Sequence, residues 1–285
     1  MTKTGLFVGL ITLDLVYLTA TYPDKNQKVV ASNYAVNAGG PATNAAVTFS
    51  YFNNQTILLG GLGNHPITYL IKADLEKHNV RIQDLDKIRS EPPPVSSIIT
   101  TQDTGDRAVI SINATKSQIS KELIDSQIIH DVDIVLIDGH QMVASLEIAQ
   151  FAKSKNIPIV IDGGSWKTGF EEILPVVDYA ICSANFYPPN CESEEEVFAY
   201  LASQNIPHIA ITQGEKSIKY FSDGKFGNVE VPKVNAVDTL GAGDIFHGAF
   251  CHYIFNGEFT EALTNAANIA AHSCQYFGTR QWMIN

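Results

Sequence analysis

The chain has 285 residues, 45% of them hydrophobic and 17% charged, with a formal net charge of −11. That length and apolar content support one large α/β domain with a sizeable core, and the low charge density argues against a disordered chain. The negative balance disfavours nucleic acid or an anionic membrane as partner, although a nucleotide needs only local N–H groups and a metal ion.

Residues 5–11 form an apolar run bounded by polar residues, the pattern of a first strand in a buried sheet. Asp14 follows, read by default as a turn cap just past the strand end. Residues 16–36 alternate loosely around the turn Pro23-Asp24-Lys25-Asn26. Residues 95–101 and 107–113 flank Asp103-Thr104-Gly105-Asp106 as a second hairpin. Together these segments predict a small, partly exposed sheet. Gly39-Gly40 opens a helix over 42–51 with Asn44 on its first turn, and small residues there let a ligand approach the backbone. Residues 56–60 read as a strand and 67–78 as an amphipathic helix, and Pro92-Pro93-Pro94 is a rigid connector back to the small sheet.

From residue 115 onward strand and helix patterns alternate. Strands are predicted over 134–137, 159–161, 179–182 and 209–212, and helices over 143–155 and 194–204. This order implies a parallel sheet with helices on both faces. Ligands of such sheets bind beyond the carboxyl ends of the strands, where Asp138, Asp162, Asn185 and Gln213 fall. Residues 216–221 and 226–231 flank Ser222-Asp223-Gly224 as a hairpin, and a last helix over 261–276 carries Asn268 among small residues.

The densest chemistry lies in 237–250, VDTLGAGDIFHGAF. Gly241-Ala242-Gly243 is a small-residue turn, Asp244 follows, and an apolar helix begins. A glycine turn that opens a helix presents free N–H groups at its positive end, an anion site with little bulk in the way. Two readings of Asp244 compete there. It is an N-cap, or it takes a proton from an attacking hydroxyl while the N–H groups hold charge on a phosphoryl group. On the second reading the same N–H groups favour the ionised carboxylate. Gly-x-x-x-x-Gly-Lys-Ser/Thr, Gly-x-Gly-x-x-Gly and His-Glu-x-x-His do not occur in the sequence. Cys182, Cys191, Cys251 and Cys274 form no Cys-x-x-Cys spacing, the apolar runs are too short to span a bilayer and no leader is evident. The expectation is a cytoplasmic protein with reduced thiols.

DTLGAGD followed by a small-residue helix resembles the C-terminal signature of the PfkB (ribokinase-like) carbohydrate kinases. Gly39-Gly40-Pro41-Ala42-Thr43-Asn44 resembles that family's N-terminal motif. The resemblance runs through nearly the whole chain. It implies a ribokinase-like three-layer α/β sandwich, a mostly parallel central sheet in a single domain over 1–285, with a β lid built from 12–37 and 95–114. It implies transfer of the ATP γ-phosphate to a hydroxyl of a small ribose-, fructose- or sugar-acid-like carbohydrate, with magnesium and potassium as ions. Asp244 is then the catalytic base, with Gly241, Ala242 and Gly243 as the anion hole. Asp14, Gly39, Gly40 and Asn44 join Asp244 at the sugar. Asn185, Thr212, Gly214, Thr239 and Asn268 lie by the nucleotide, along with the same glycines. Asp238 is a candidate monovalent-cation ligand beside the phosphate path.

The sequence departs from the family pattern at two places. Asn64 replaces an acid after Gly63, and the family's Asn-x-x-Glu keeps its Asn as Asn185 but has Pro188 at the Glu position, which puts the metal arrangement in question. The alternatives are a nucleoside kinase of the same family, with Tyr17, Tyr22 or Tyr34 as platform for the base, and a non-catalytic sugar-binding regulatory protein. An exposed edge on the β lid makes a homodimer through it the expected assembly.

Overall fold

The computed structural model describes residues 2–112 and 118–284. Among these, seven parallel strands form most of a nine-stranded sheet: β1 (Thr4–Val8), β4 (Gln55–Gly60), β5 (Val80–Asp84), β8 (Ile134–Ile137), β9 (Ile159–Gly163), β10 (Tyr179–Ser183) and β11 (His208–Gln213). The hairpin β12 (Lys216–Ser222) and β13 (Lys225–Val229) adds antiparallel to β11 at one edge. The spatial order is β13-β12-β11-β10-β9-β8-β1-β4-β5. Runs such as Ile134–Ile137, IVLI, are apolar at every position because helices cover both faces. Alternate side chains enter two cores. Phe7, Leu58, Leu136 and Val160 pack with helices α1 (Pro41–Tyr51), α2 (Thr68–Lys77), α6 (Ala242–Tyr253) and α7 (Phe259–Ser273). Leu6, Val8, Val135 and Ile161 pack with α3 (Met142–Ser154), α4 (Phe170–Ile173) and α5 (Glu194–Ser203). This is the expected three-layer sandwich, and among the described residues no helix is long and apolar enough to cross a membrane.

Helices α1, α2, α3 and α5 each end beside an asparagine in the left-handed region, at Asn53, Asn79, Asn156 and Asn205. Asparagine tolerates that conformation and so stops each helix on cue. Helices α1 and α6 approach closely at Gly248, where a Cβ would stand 2.3 Å from the Ala45 carbonyl oxygen.

The small sheet has the order β3-β2-β6-β7, from β2 (Thr12–Thr19), β3 (Asn33–Gly39), β6 (Val95–Thr101) and β7 (Arg107–Ser111). Strands β2 and β6 are parallel and the other pairs antiparallel. Asn113 and Ala114, at the end of the expected last segment, lie outside the described residues. One face carries Asp14, Val16 and Ile98, and Val16 and Ile98 pack on Phe277 and Leu240. The other carries Tyr17, Tyr34, Val36 and Ile110, all of them exposed.

Several boundaries differ from expectation. The first strand stops at Val8, and Asp14 sits inside β2 rather than capping a turn. The apolar Leu10-Ile11 that follows hides this break from any reading of hydrophobicity alone. Strand β5 and helix α4 were not anticipated. Only the ends of β5 are buried, so its pairing with β4 rather than its own pattern defines it.

Candidate functional site

The chain leaves β1 toward β4 and β5, then returns to β8 on the other side of β1. That reversal opens a crevice at the carboxyl ends of β1 and β8, where ligands of such sheets bind. Asp138, just past β8, stitches the crevice. Its Oδ2 accepts from the amides of Leu10 at 2.9 Å and Ala42 at 3.1 Å, and its Oδ1 from the amide of His140 at 2.8 Å. Burial alone would raise this carboxyl, but His140 and the amide donors hold it at about 2. The ionised group therefore fixes the first turn of α1. Gly40 turns the chain into that helix with φ 103°, and a Cβ there would meet the Leu10 carbonyl oxygen at 2.4 Å.

The first turn of α1 carries Asn44, which is 3% exposed rather than facing solvent. Its Nδ2 donates to Asp244 Oδ2 at 2.8 Å, and its Oδ1 accepts from Arg280 Nη1 at 2.9 Å. Helix α6 has Gly241 at its cap position with φ 71°, and Asp244 is the third helical residue. The carboxylate thus turns across to α1 instead of capping its own helix. The amides of Gly243 and Asp244 belong to the first turn and have no intrahelical acceptor.

The local argument that N–H groups favour ionised Asp244 is overturned. Burial first, and the charge of Asp162 second, push its carboxyl up to about 7 against the pull of Asn44 and His247. Asp162, at the carboxyl end of β9, is 5% exposed. Its Oδ2 has no hydrogen-bond partner among the described residues, with His247 Nδ1 3.5 Å away. Each ring nitrogen of His247 faces a carbonyl oxygen, that of Gly243 at 2.7 Å and that of Ile181 at 3.1 Å, which ties the start of α6 to β10.

Asp14 hangs from the underside of β2, and its Oδ1 accepts from Thr12 Oγ1 at 2.7 Å. Burial raises its carboxyl, while Thr12, Ser96 and Arg280 oppose the rise. Gly39 leaves room for it, since a Cβ there would fall 1.9 Å from Asp14 Oδ2. Asp14, Gly39, Gly40, Asn44 and Asp244 therefore converge on one crevice.

Both oxygens of Asp238 are engaged within the protein. Oδ1 accepts from the amide of Leu240 at 3.0 Å and from Thr100 at 3.5 Å, and Oδ2 from the amide of Gly278 at 2.9 Å, so a cation there would have to share them. Arg107 of β7 reaches Thr239, donating to its carbonyl oxygen at 2.8 Å and its hydroxyl at 3.0 Å. Asn185, Gly214 and Asn268 are exposed, and Thr212 lies in β11 with its hydroxyl 3.4 Å from the Cys182 carbonyl oxygen. The structure does not bring these four into side-chain contact with the buried acids. Arg280, 7% exposed, and its neighbour Asp74 went unforeseen, since no local pattern marks an arginine in the C-terminal Gly-Thr-Arg-Gln-Trp. A separate concavity of about 500 Å³, lined by Gln55, Arg81 and His130 among others, lies at the amino ends of β1 and β4, away from this cluster.

Comparison with known proteins identifies the family. The sequence profile of the pfkB family carbohydrate kinases matches residues 4–284, and the chain belongs to that family. It is thus a phosphotransferase acting on a sugar hydroxyl. It is similar to the ribokinase of Lactococcus lactis, 25% identical over 99% of this chain and 94% of that protein. It is also similar to the deoxyribokinase of Salmonella typhi, 25% identical over 96% of this chain and 93% of that one. Its fold matches that of the Arabidopsis thaliana ribokinase complexed with ribose and ATP. That match has a TM-score of 0.77 and 21% identity over 98% of this chain and 94% of the other.

Proposed function

We propose that this kinase transfers the γ-phosphoryl group of ATP to a hydroxyl of a pentose such as ribose or 2-deoxyribose, with Asp244 as general base. The observation that carries this reading is the Asn44–Asp244 pair at the start of α6, a buried carboxyl raised to about 7 beside first-turn amides that have no intrahelical acceptor. A sugar hydroxyl must lose its proton as the bond to phosphorus forms, and a base of that pKa suits neutral pH. The amides of Gly243 and Asp244 are aimed where charge gathers on the transferring group. Asp14 and Asn44 orient the sugar, because a carboxylate accepts from hydroxyls and an amide both donates and accepts. The small sheet acts as a lid, and its packing on Phe277 and Leu240 keeps water from competing for the phosphoryl group.

Among the described residues no three His, Cys, Asp or Glu stand together as a ready metal cage, so magnesium would be held chiefly through waters and phosphates. The orphaned buried oxygen of Asp162 is suited to its hydration shell. The acids after Pro188 are otherwise employed: Glu196 caps α5, and Glu194 binds Gln213 and Lys219. When bound, magnesium neutralises phosphate charge.

The sugar reading is favoured over the nucleoside one by Tyr17 and Tyr34. They lie on the face of the lid opposite Asp14 and offer no platform in the crevice. That outer face, with Val36 and Ile110, is apolar and exposed, and a second copy of the chain covers it in a homodimer.

A coupled assay of ATP consumption over ribose, 2-deoxyribose, fructose and nucleosides, with and without magnesium, tests the reading. Magnesium-dependent turnover of a pentose is expected, and turnover confined to nucleosides would sink it. In single-turnover measurements folded Asp244→Asn should be slower by about 10²–10⁴-fold. A wild-type rate would remove Asp244 as base.

A further inference from the structure

Arg280 is a buried guanidinium that the transfer chemistry above does not use. It stands where the C-terminal segment crosses α1, α2 and β3. Its Nη2 donates to the Ala38 carbonyl oxygen of β3 at 2.7 Å, and its Nη1 to Asn44 Oδ1 and Thr279 Oγ1, each at 2.9 Å. Asp74 of α2 is farther, at 3.4 Å, and spends the same Oδ2 on the Ala38 amide at 3.0 Å. The guanidinium is therefore shared between the Asp74 carboxylate and the neutral oxygens of Ala38, Asn44 and Thr279, and its Nε has no hydrogen-bond partner among the described residues. Burying such a charge is costly unless its donors are used, so a position like this invites a reason beyond packing.

The reason lies in Asn44. Its amide has two orientations of nearly the same shape, with oxygen and nitrogen exchanged. Arginine carries donors only and ionised aspartate only acceptors. With Arg280 on one side and Asp244 on the other, one orientation makes two good hydrogen bonds, while the flipped one sets N–H against N–H and oxygen against oxygen. We propose that Arg280 is a positioning residue: it locks the Asn44 amide so that Nδ2 holds Asp244 Oδ2, leaving Asp244 Oδ1 for the sugar hydroxyl, and it ties this arrangement to lid strand β3 through Ala38. The proposal rests on Asp244 being the base. It predicts that Arg280 acts on turnover through Asn44 and not by supporting the fold at large. Lysine cannot replace it, because a single ammonium lacks the fork that reaches Asn44 and Ala38 together.

The test is a double-mutant cycle in single-turnover assays, using whichever of ribose, 2-deoxyribose and fructose turns over fastest. The variants are Arg280→Met, Asn44→Ala and the double variant, with Arg280→Lys and Asp244→Asn alongside. Arg280→Met should slow transfer about 10- to 100-fold, the scale of a lost charge-assisted hydrogen bond at the reacting centre. The KM for ATP should change less than about twofold, as expected of a group that acts through Asn44 and Asp244 rather than on the nucleotide. Arg280→Lys should not restore the rate. Added to Asn44→Ala, Arg280→Met should slow transfer by less than about threefold further, because the two share one interaction. Fully additive effects, a wild-type rate in Arg280→Met, or full rescue by Arg280→Lys would overturn the proposal. If Arg280→Met does not fold, the same cycle is run with Arg280→Lys, and collapse of both variants would make Arg280 a folding residue and end the proposal. An inactive Asp244→Asn beside unaffected Arg280 variants refutes the positioning role alone, whereas an active Asp244→Asn refutes the assignment of the base.

Discussion

Asp244 has to be ionised to act as a base, yet it is placed where ionisation is opposed. Its carboxyl is raised from 3.8 to about 7 by burial and by Asp162. Two consequences follow in opposite directions of pH. With Asp244 as the proposed base, transfer requires its deprotonated form, so kcat/KM should rise from acid through about 7 and level off above it. A profile flat from pH 5 to 9 would exclude this base. Stability runs the other way. Between the unfolded value and the folded one the native state holds the extra proton, so the contribution is complete below about 4 and lost as pH rises through about 7. Asp244→Asn should therefore resist urea better than the wild type at pH 8, by up to about 4 kcal/mol, with the advantage vanishing near pH 4. Gly243 offers a separate probe at the same helix start. A Cβ there meets no protein atom within 4 Å. Gly243→Ala should leave the melting temperature unchanged or higher, while slowing turnover by obstructing the phosphoryl group. A lowered melting temperature would mean that the damage is to the fold.

The contact between α1 and α6 decides whether two residues far apart in sequence form one site. Asn44 and Ala45 lie on α1, Asp244 and Gly248 on α6, and the helices touch where Gly248 lacks a side chain. The neighbour is backbone, the Ala45 carbonyl oxygen, and cannot swing aside. Gly248→Ala should cost about 1–3 kcal/mol of stability through overpacking. It should also slow turnover without touching any ligand, by parting Asn44 from Asp244. Equal activity and stability in denaturant titration and single-turnover assays would show that the helices can shift without harm.

For the molecule as a whole, the small sheet joins the crevice that holds Asp14 and Asp244 to the outer surface. Its underside carries Asp14, and Arg107 on β7 holds Thr239 just ahead of the glycine turn. Sugar binding should slow hydrogen exchange in Thr12–Thr19, Asn33–Gly39 and Val95–Thr101, because opening of the lid would be suppressed. Unchanged exchange with sugar demonstrably bound would rule out a closing lid. The outer face makes a second demand. Tyr34 is 70% and Ile110 73% exposed, and with Tyr17 and Val36 they share one apolar face of the small sheet. Light scattering should give a dimer for the wild type and a monomer for Tyr34→Asp or Ile110→Asp. A monomeric wild type would remove the second copy from that face.

Much of this was legible in the sequence, for reasons that are local. Continuous apolar runs such as Ile134–Ile137 announce a parallel sheet covered on both sides, and glycine turns opening small-residue helices announce where a ligand can approach backbone. Asn44, Asp244, Gly39 and Gly241 stand out on that basis before any coordinates. The rest depends on distances that sequence does not express. Asp14 lies within a lid strand because the chain breaks after Val8 inside an apolar stretch, and only strand pairing reveals the break. Arg280 meets Asn44 across 236 residues, so no window along the chain contains both. The charge state of Asp244 is the clearest case. Its own helix start favours the ionised carboxylate, but the desolvating core and Asp162 of β9 reverse the sign. A pKa sums over every group nearby in space, and which groups are nearby was decided by the packing of α1, α6 and the central sheet.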